Sequence, residues 1–291
     1  MLRSMLFLPG NNPNMLINSG CLGADGVIFD LEDAVAPAQK DAARILVRNT
    51  MRYLDLGNCR RIVRINSVDT PYWQDDLDAV MPCNPDMILL PKSGTSGDVL
   101  AVDSYMTAVE QRLGLEQVAL MPLIETALGV ENAYAIASSC NRVQALFLGA
   151  EDLSADLQCK RTKEGREIEY ARTRLVMAAR AAGIAVYDTP FTDVNDDEGA
   201  AQDAVLAKAL GFSGKASISP RHVEGINSAF SPTLEEIAYA YDVLDAIELA
   251  KQQGKGAISL RGKMIDAPIV SRARQTIAAA CELGLGREED R

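Results

Sequence analysis

Short runs of apolar residues alternate with longer amphipathic stretches along most of this chain of 291 residues. The short runs have the length of buried strands, whereas the longer stretches repeat apolar residues at the spacing of a helix. The eight predicted strands cover 4–8, 26–31, 61–65, 87–90, 119–124, 145–148, 185–188 and 215–218. The clearest helical patterns between them cover 39–52, 99–113, 128–138, 167–182 and 198–210.

The order of these elements predicts the fold. Strands that alternate with helices form a parallel sheet, and eight such units predict a closed (β/α)8 barrel, or TIM barrel. A doubly wound open sheet is the alternative, but it would concentrate polar residues at one switch point. Here polar residues follow nearly every strand, which favours the barrel. Gly183 and Gly211 directly follow helical patterns and precede the last two strands, as residues that end helices do.

The sequence beyond the eighth strand predicts a separate C-terminal part. One helix is expected from Pro232 to Ala250, and another begins at Pro268. The glycine-rich stretch 253–262 between them is typical of a mobile connection. We therefore expect a barrel domain over 1–230 and a C-terminal helical extension with a lid segment over 231–291.

Composition narrows the range of functions. The formal net charge of −11 argues against nucleic acid and anionic membrane surfaces as partners, because both are bound through cationic side chains. The six cysteines show neither a CxxC motif nor zinc spacing, which favours thiols in a reducing compartment. The first residues lack the layout of a signal peptide, and no apolar run approaches membrane-spanning length. These features lead us to expect a cytoplasmic protein.

Two acidic residues close apolar strands. Glu125 ends the segment ALMPLIE, and Asp152 follows the segment ALFLGAE. In a parallel barrel the carboxyl ends of the strands converge on one mouth. Two carboxylates there suit Mg²⁺, which typically binds one or two carboxylates and completes its shell with water and substrate. The alternative is that both carboxylates form salt bridges with Arg64 and Lys92.

Charged residues also follow the second and third strands. Asp30, Glu32 and Asp33 either cap a helix within a solvated loop or accept hydrogen bonds from metal-bound water. Arg64 either forms a buried ion pair or binds a substrate carboxylate or a developing enolate oxygen. Charges at the ends of apolar strands are costly unless they are paired, hydrated or bound to a metal. We therefore expect chemistry at this mouth.

The remaining cationic residues are weaker candidates. Lys92 and Arg3 could bind a distal carboxylate of a substrate. The basic run at 160–166 (KRTKEGR) could bind coenzyme phosphates or an acidic carrier protein, although a solvated loop is the commoner explanation. His222 is the only histidine, and without triad or zinc spacing we expect a structural role for it. The P-loop and the GxGxxG motif are absent.

Read together, these segments resemble the citrate lyase beta subunit family within the CoA-ester lyases, which also holds malyl-CoA and citramalyl-CoA lyases. The resemblance spans nearly the whole chain. Its motifs are RSMLFLPG (3–10), FDLEDAV (29–35), VRIN (63–66), LPK (90–92), IETALGV (124–130), GAEDL (149–153), SGK (213–215) and GKMIDAPIV (262–270).

The resemblance implies a TIM barrel that binds Mg²⁺ through Glu125 and Asp152, with Arg64 and Glu125 in contact with substrate. It also implies retro-Claisen cleavage of a citryl thioester, carried by CoA or acyl-carrier protein, to acetyl thioester and oxaloacetate. Asp266 of the MIDAP motif would donate the proton from a lid of a neighbouring subunit. Arg64 and Asp33 are the other catalytic residues that we expect from the charged strand ends. The alternative for Asp266 is an N-cap of the last helix. A homotrimer and partner lyase subunits are further implications.

Other activities stay open from the sequence. They are a citramalyl-CoA or malyl-CoA lyase, a malate-synthase-like enzyme that condenses acetyl-CoA with a 2-oxo acid, and a metal-dependent aldolase for free 2-oxo acids. A scaffold subunit without activity is disfavoured, because a scaffold needs no metal pocket. The stretch from Asn11 to Asn14 lacks the basic residue that relatives binding free CoA commonly carry there. This favours a carrier-bound thioester or cationic contacts from elsewhere, such as the run at 160–166.

Overall fold

Eight parallel strands close into a barrel in the order of the chain, and the last strand pairs with the first. The structure is a computed structural model that describes residues 1–252 and 258–287. The prediction of a (β/α)8 barrel is confirmed. The barrel strands are β1 (Ser4–Pro9), β2 (Gly26–Asp30), β3 (Arg60–Arg64), β4 (Met87–Leu90), β5 (Ala119–Ile124), β6 (Ala145–Leu148), β7 (Ala185–Asp188) and β8 (Gly214–Ser217).

Most strands are buried on both faces, as expected for a parallel sheet that helices cover. In β2, all five residues of GVIFD are buried. Alternate residues point into the barrel, where large apolar side chains from successive strands form one core. The core includes Met5, Ile28, Ile62, Leu89, Met121 and Phe147.

Helices connect the strands and lie close to the predicted stretches. Glycines at the predicted helix ends, Gly183 and Gly211, have positive φ angles of 73° and 103°, so they terminate the helices before β7 and β8. None of the helices within the described residues is long and apolar enough to cross a membrane. The helices up to the end of the barrel are α1 (Pro13–Ile17), α2 (Lys40–Tyr53), α3 (Trp73–Val80), α4 (Ser96–Leu113), α5 (Ala127–Glu131), α6 (Ala133–Ala137), α7 (Ala150–Asp156), α8 (Glu169–Ala182), α9 (Asp197–Leu210) and α10 (Val223–Phe230).

The chain divides into two compact units, Leu2–Ser228 and a C-terminal unit of Ala229–Arg291 with Met1. The C-terminal unit contains α11 (Leu234–Gln252), the strands β9 (Ile258–Leu260) and β10 (Lys263–Ile265), and α12 (Ala267–Glu282). Its core includes Val243, Ile265, Ile277 and Ala280.

The predicted lid segment at 253–262 is described only in part. Residues 253–257 lie outside the described residues. Where an irregular connection was expected, β9 and β10 form an antiparallel hairpin. Arg261 and Gly262 join its strands, both with positive φ angles, 48° and 78°. Two-residue hairpin turns commonly adopt this conformation, because its twist matches that of the strands.

Candidate active site

A cavity of about 480 Å³ opens at the carboxyl ends of the barrel strands. Its floor is apolar and includes Phe7, Leu123 and Phe147. Its rim carries most of the polar side chains that the sequence singled out, because parallel strands bring their carboxyl ends to one face. The ionisable residues that line it are Asp30, Asp33, Arg64, Glu125, Glu151 and Asp152.

Arg64 lies among three carboxylates at the end of β3. Its Nε and Nη2 atoms donate to the two oxygens of Asp30, at 2.7 and 2.6 Å, in a bidentate pair. Its Nη1 atom lies 3.1 Å from Glu32 and 3.4 Å from Asp33. The guanidinium also lies over the ring of Phe7, at 5.2 Å from its centroid. One edge of Arg64 is thus fixed by Asp30, and the Nη1 end lies beside the other two carboxylates.

The loop after β2 is held by Asp30, which the sequence singled out, and by Lys40, which it did not. The carboxylate of Asp30 accepts hydrogen bonds from the backbone N–H groups of Glu32 and Ala34, at 2.8 and 3.1 Å. The buried ammonium of Lys40 donates to the carbonyls of Leu31 and Glu32, each at 2.7 Å. These bonds turn the backbone so that Glu32 points inward. The signal in the sequence was a single lysine at the start of α2, which alone does not reveal such a role.

Glu125 is held at the end of β5 by its neighbours. Its Oε1 atom accepts a hydrogen bond of 2.7 Å from the backbone N–H of Lys92. Lys92 has a φ of 52°, an unusual angle for a residue with a side chain, and such strain is common at functional sites. Gly149 follows β6, and a Cβ atom there would lie 2.7 Å from both Cβ and Oε2 of Glu125. The position of Glu125 therefore depends on a glycine in the next strand–helix connection.

Asp152 lies in the first turn of α7. It lines the same cavity as Glu125 and is partly exposed. The structure thus brings together the two carboxylates that were predicted to bind a metal.

The carboxyl groups at this mouth repel one another. Burial raises the pKa of Glu125 to about 8, and the negative charges of Glu32 and Asp152 add to this effect. Burial also raises the pKa of Glu32 to about 7, although Arg64 and Lys92 oppose the increase. Both oxygens of Glu32 are buried and lack hydrogen bonds, despite these ion pairs. A bound cation would relieve this excess of negative charge.

The donor set fits Mg²⁺. Carboxylate oxygen is its preferred protein ligand, and one or two carboxylates suffice when water and substrate complete the shell. Over 1–252 and 258–287, no group of three or more His, Cys, Asp or Glu side chains is arranged to hold a metal ion. The residues present therefore match a site that leaves several positions open for other ligands, not a closed cage.

Three other predicted site residues lie in different surroundings. The Nζ atom of Lys92 lies 3.3 Å from Glu32, at the mouth, with the side chain partly exposed. Arg3 lies before β1, at the opposite end of the barrel, where it pairs with Asp25 at 2.7 Å. The structure therefore does not bring Arg3 to the cavity. Asp266 belongs to the C-terminal unit, where its Oδ1 atom accepts a hydrogen bond from the N–H of Ile269 and caps α12.

Two of the four basic residues at 160–166 are paired with neighbouring acids. Arg161 donates to Glu167 at 2.7 Å, and Lys163 lies 2.7 and 2.9 Å from Asp193 and Asp196. His222 is buried, and this burial lowers its pKa. Its Nε2 atom lacks a hydrogen bond and lies 3.7 Å from Asp197, and the residue is not among those that line the cavity. A structural role for His222 stays a prediction.

The chain is similar in sequence to known proteins. A family model described as HpcH/HpaI aldolase/citrate lyase matches residues 3–220. The citrate lyase subunit beta of Leuconostoc mesenteroides subsp. cremoris is 44% identical over 280 residues, which are 96% of this chain and 93% of that protein. An L-malyl-CoA/beta-methylmalyl-CoA lyase of Cereibacter sphaeroides is 34% identical over 299 residues, covering 96% of this chain and 94% of that protein.

A solved structure is also similar. The citrate lyase beta subunit from Mycobacterium tuberculosis, complexed with oxaloacetate and magnesium, superposes with a TM-score of 0.67 at 31% sequence identity. The match covers 79% of this chain and 96% of that one. The closed barrel and the acidic cavity, together with these relatives, define a carbon–carbon lyase, as the sequence predicted. The chain belongs to the HpcH/HpaI aldolase/citrate lyase family.

Proposed function

We propose that this protein is a Mg²⁺-dependent lyase that cleaves a citryl thioester to an acetyl thioester and oxaloacetate. The observation that carries the proposal is the meeting of Glu125, Asp152 and Arg64 in one cavity at the barrel mouth. The relatives named citrate lyase subunit beta, and the relative solved with oxaloacetate and magnesium, support the choice of substrate.

Glu125 and Asp152 are the residues that would hold the metal ion. When bound, Mg²⁺ acts as a Lewis acid toward an oxygen of the substrate. The hydrogen bond from Lys92 and the close approach of Gly149 fix the carboxylate of Glu125 before substrate arrives. Preorganised ligands of this kind avoid a reorganisation cost during the reaction.

Arg64 would stabilise negative charge that develops on oxygen as the carbon–carbon bond breaks. In this step the hydroxyl gives its proton to the carboxylate of Asp33, which lines the cavity. The carbon that carried the hydroxyl becomes the ketone of oxaloacetate, and the electrons of the broken bond pass to the thioester enolate. The guanidinium of Arg64 is anchored by Asp30, so its Nη1 end is presented with little freedom. Charge-assisted hydrogen bonds of this type are shorter and stronger than neutral ones.

The enolate then takes up a proton and becomes the acetyl thioester. Asp266 remains our proposed donor, and Asp33 our proposed further catalytic residue beside Arg64. Asp33 is exposed at the rim of the cavity, within 3.4 Å of Arg64, where substrate can reach it. We also propose that the protein forms a homotrimer and works with partner lyase subunits. Its substrate would be a thioester carried on CoA or on a carrier protein.

Cleavage of malyl-CoA or a related ester is the second candidate. The relative named L-malyl-CoA/beta-methylmalyl-CoA lyase matches over 96% of this chain, which favours keeping this activity in the test. The same carboxylates and arginine would serve, because both substrates carry a hydroxyl group next to the bond that breaks.

The test is a coupled assay of 2-oxo acid release from citryl-CoA, (S)-citramalyl-CoA and malyl-CoA, with and without Mg²⁺. We expect Mg²⁺-dependent release of oxaloacetate from citryl-CoA. A preference for another ester would reassign the substrate, whereas release of free CoA from acetyl-CoA and a 2-oxo acid would indicate a condensing enzyme. If none of the CoA esters is cleaved, the same assay with citryl-loaded acyl-carrier protein decides between a carrier-bound substrate and rejection of the proposal.

Variants at the metal ligands test the mechanism. Glu125→Ala and Asp152→Ala should each abolish both activity and the response to Mg²⁺, because each removes half of the carboxylate ligands. Glu164→Ala, in an exposed loop, is the control and should keep both. Substantial cleavage by either ligand variant in excess chelator would contradict the proposed metal site.

A further inference from the structure

A cluster of four charged side chains is buried between the barrel and its outer helices. It joins Arg172 of α8, Asp188 of β7, Asp203 of α9 and Lys215 of β8. Lys215 and Asp188 are neighbours in the strand register, and Nζ lies 2.6 Å from Asp188 and 2.6 Å from Asp203. Arg172 donates to both carboxylates at 2.8 Å. Each of the four residues is at most 8% exposed.

This cluster is an inefficient way to stabilise a barrel. Removing charges from water costs several kcal/mol per ion, and well-packed apolar residues in place of a buried ion pair are often as stable or more so. The two cations balance the two anions, so the cluster is electrically neutral as a unit. We therefore expect that the cluster contributes mainly by fixing the relative positions of the elements that it joins.

A chain of hydrogen bonds leads from the cluster to the cavity. The Nζ atom of Lys215 donates to the carbonyl of Thr189 at 2.6 Å. The hydroxyl of Thr189, in turn, accepts a hydrogen bond of 3.2 Å from the N–H of Ala150. Ala150 begins α7, and Asp152 lies two residues further along the same helical turn. Thr189 is 2% exposed, so water does not readily replace either bond.

We propose that Lys215 and Thr189 are positioning residues that set the first turn of α7 and thereby the carboxylate of Asp152. This inference rests on the proposed role of Asp152 in binding Mg²⁺. According to this proposal, the ionic cluster holds the backbone after β7 in place. The hydroxyl of Thr189 then holds the connection after β6 through its hydrogen bond with Ala150. Lys215 lies outside the lining of the cavity, whereas Thr189 lines it; the role proposed for both residues acts through the position of Asp152.

The first test is a titration of the full-length protein with Mn²⁺ in the absence of substrate. Binding is monitored through the electron paramagnetic resonance signal of free Mn²⁺. Thr189→Val keeps the shape of the side chain but removes the acceptor for Ala150 N–H. We expect its Kd for Mn²⁺ to rise about tenfold, the lower end of the range for residues that orient metal ligands. Thr189→Ser restores the hydroxyl and should return the Kd to within about threefold of the parent value.

The second test separates position from charge balance. Lys215→Met alone leaves two carboxylates with one cation, and an uncompensated buried charge is strongly destabilising. The double variant Lys215→Met/Asp203→Asn leaves one cation with one anion and removes the bond to the Thr189 carbonyl. We expect it to melt at a higher temperature than Lys215→Met but still to bind Mn²⁺ about tenfold more weakly than the parent.

A second buried cluster supplies a matched control. Arg142 pairs with Asp103 and Glu110 at 2.6 Å and donates to the carbonyl of Val118, before β5, at the other end of the barrel. Asp103→Asn should lower the melting temperature while the Kd for Mn²⁺ stays at the parent value. This outcome would show that loss of stability alone does not weaken metal binding.

The outcomes separate this inference from the proposed function. If the parent protein does not bind Mn²⁺, both the proposed metal site and this inference are rejected. If the parent binds Mn²⁺ and Glu125→Ala does not, the metal site stands. In that case, parent-like Kd values for folded Thr189→Val and for the folded double variant would overturn the positioning role alone.

Discussion

Replacement of Gly149 by alanine is a sharp test of the geometry at the cavity, because it adds a single methyl group. The backbone at Gly149 has a φ of −102° and a ψ of 95°, which alanine adopts without strain. The effect of the substitution is therefore steric. The new Cβ atom would lie 2.7 Å from Cβ and from Oε2 of Glu125, and 3.1 Å from Cδ1 of Leu123.

The magnitude follows from this overlap. Ordinary contacts of a Cβ atom begin at 3.4 Å, so Glu125 or the backbone of residue 149 must move by about 0.7 Å. Functional groups generally need to stay within about 0.5 Å of their productive positions. Overpacking of this kind costs about 1–3 kcal/mol, and each kcal/mol lowers the melting temperature of a domain of this size by about 2–4 °C. Displacement of a metal ligand should weaken metal binding about 10- to 100-fold.

The assay combines Mn²⁺ titration with thermal denaturation in the presence and absence of Mg²⁺. Gly149→Ala should show a weaker Kd and a smaller increase in melting temperature on addition of Mg²⁺. Gly97→Ala is the control, since its Cβ would meet only Thr95 Oγ1, at 3.4 Å, and alanine favours the helix. If Gly149→Ala binds Mn²⁺ as tightly as the parent and melts at the same temperature, the proposed constraint on Glu125 does not exist.

Three further predictions address catalysis, pH and the far end of the barrel. Asp266→Asn should lower turnover strongly with little change in melting temperature, because asparagine caps a helix about as well as aspartate; near-normal turnover would reject Asp266 as proton donor. The pKa values of about 8 for Glu125 and about 7 for Glu32 lie above the ordinary value of 4.5. Without metal, the folded protein therefore binds more protons than the unfolded chain between about pH 4.5 and 8, and its stability falls as the pH rises through this range. Since Mg²⁺ requires ionised carboxylates, the increase in melting temperature on its addition should be larger at pH 9 than at pH 6, and a constant increase would contradict this account. Arg3→Gln should lower stability by about 1–3 kcal/mol through loss of the ion pair with Asp25 while kcat stays near the parent value, whereas a large loss of kcat would return Arg3 to the site.

Much of the fold and part of the site could be predicted from the sequence. Most of the eight strands are buried on both faces and read as continuous apolar runs, with β3 and β8 as the exceptions. The predicted bounds differ from the observed ones by at most one residue at each end. Since all strands run in parallel, the residues that end them must meet at one mouth. That rule was enough to predict that Glu125, Asp152 and Arg64 lie in one cavity, as the structure shows.

The parts that were not predicted depend on contacts between distant segments. The ammonium of Lys40 orients the loop before α2, and the hydroxyl of Thr189 bonds to Ala150, but neither contact leaves a local pattern in the sequence. Arg3 shows a different failure. It precedes its strand, so the same rule of parallel strands would have placed it at the far end, and the sequence reasoning did not apply the rule there.

The hairpin of β9 and β10 was missed because its turn contains arginine followed by glycine, and only the glycine is a strong turn signal. The sequence showed the basic run at 160–166 but not the ion pairs that Arg161 and Lys163 form. Lys163 finds its partners Asp193 and Asp196 about thirty residues later in the chain, in the connection after β7.

The pairing of β1 with β8 has a consequence for the way in which this protein is made. About 200 residues separate the two strands, so at a synthesis rate of roughly 5–20 residues per second β1 is complete some 10–40 s before β8. Throughout this time one edge of β1 lacks its native neighbour. Contacts between such distant segments also slow folding, because loop closure precedes any gain from pairing. The nascent chain should therefore depend on protection of the β1 edge until β8 has left the ribosome.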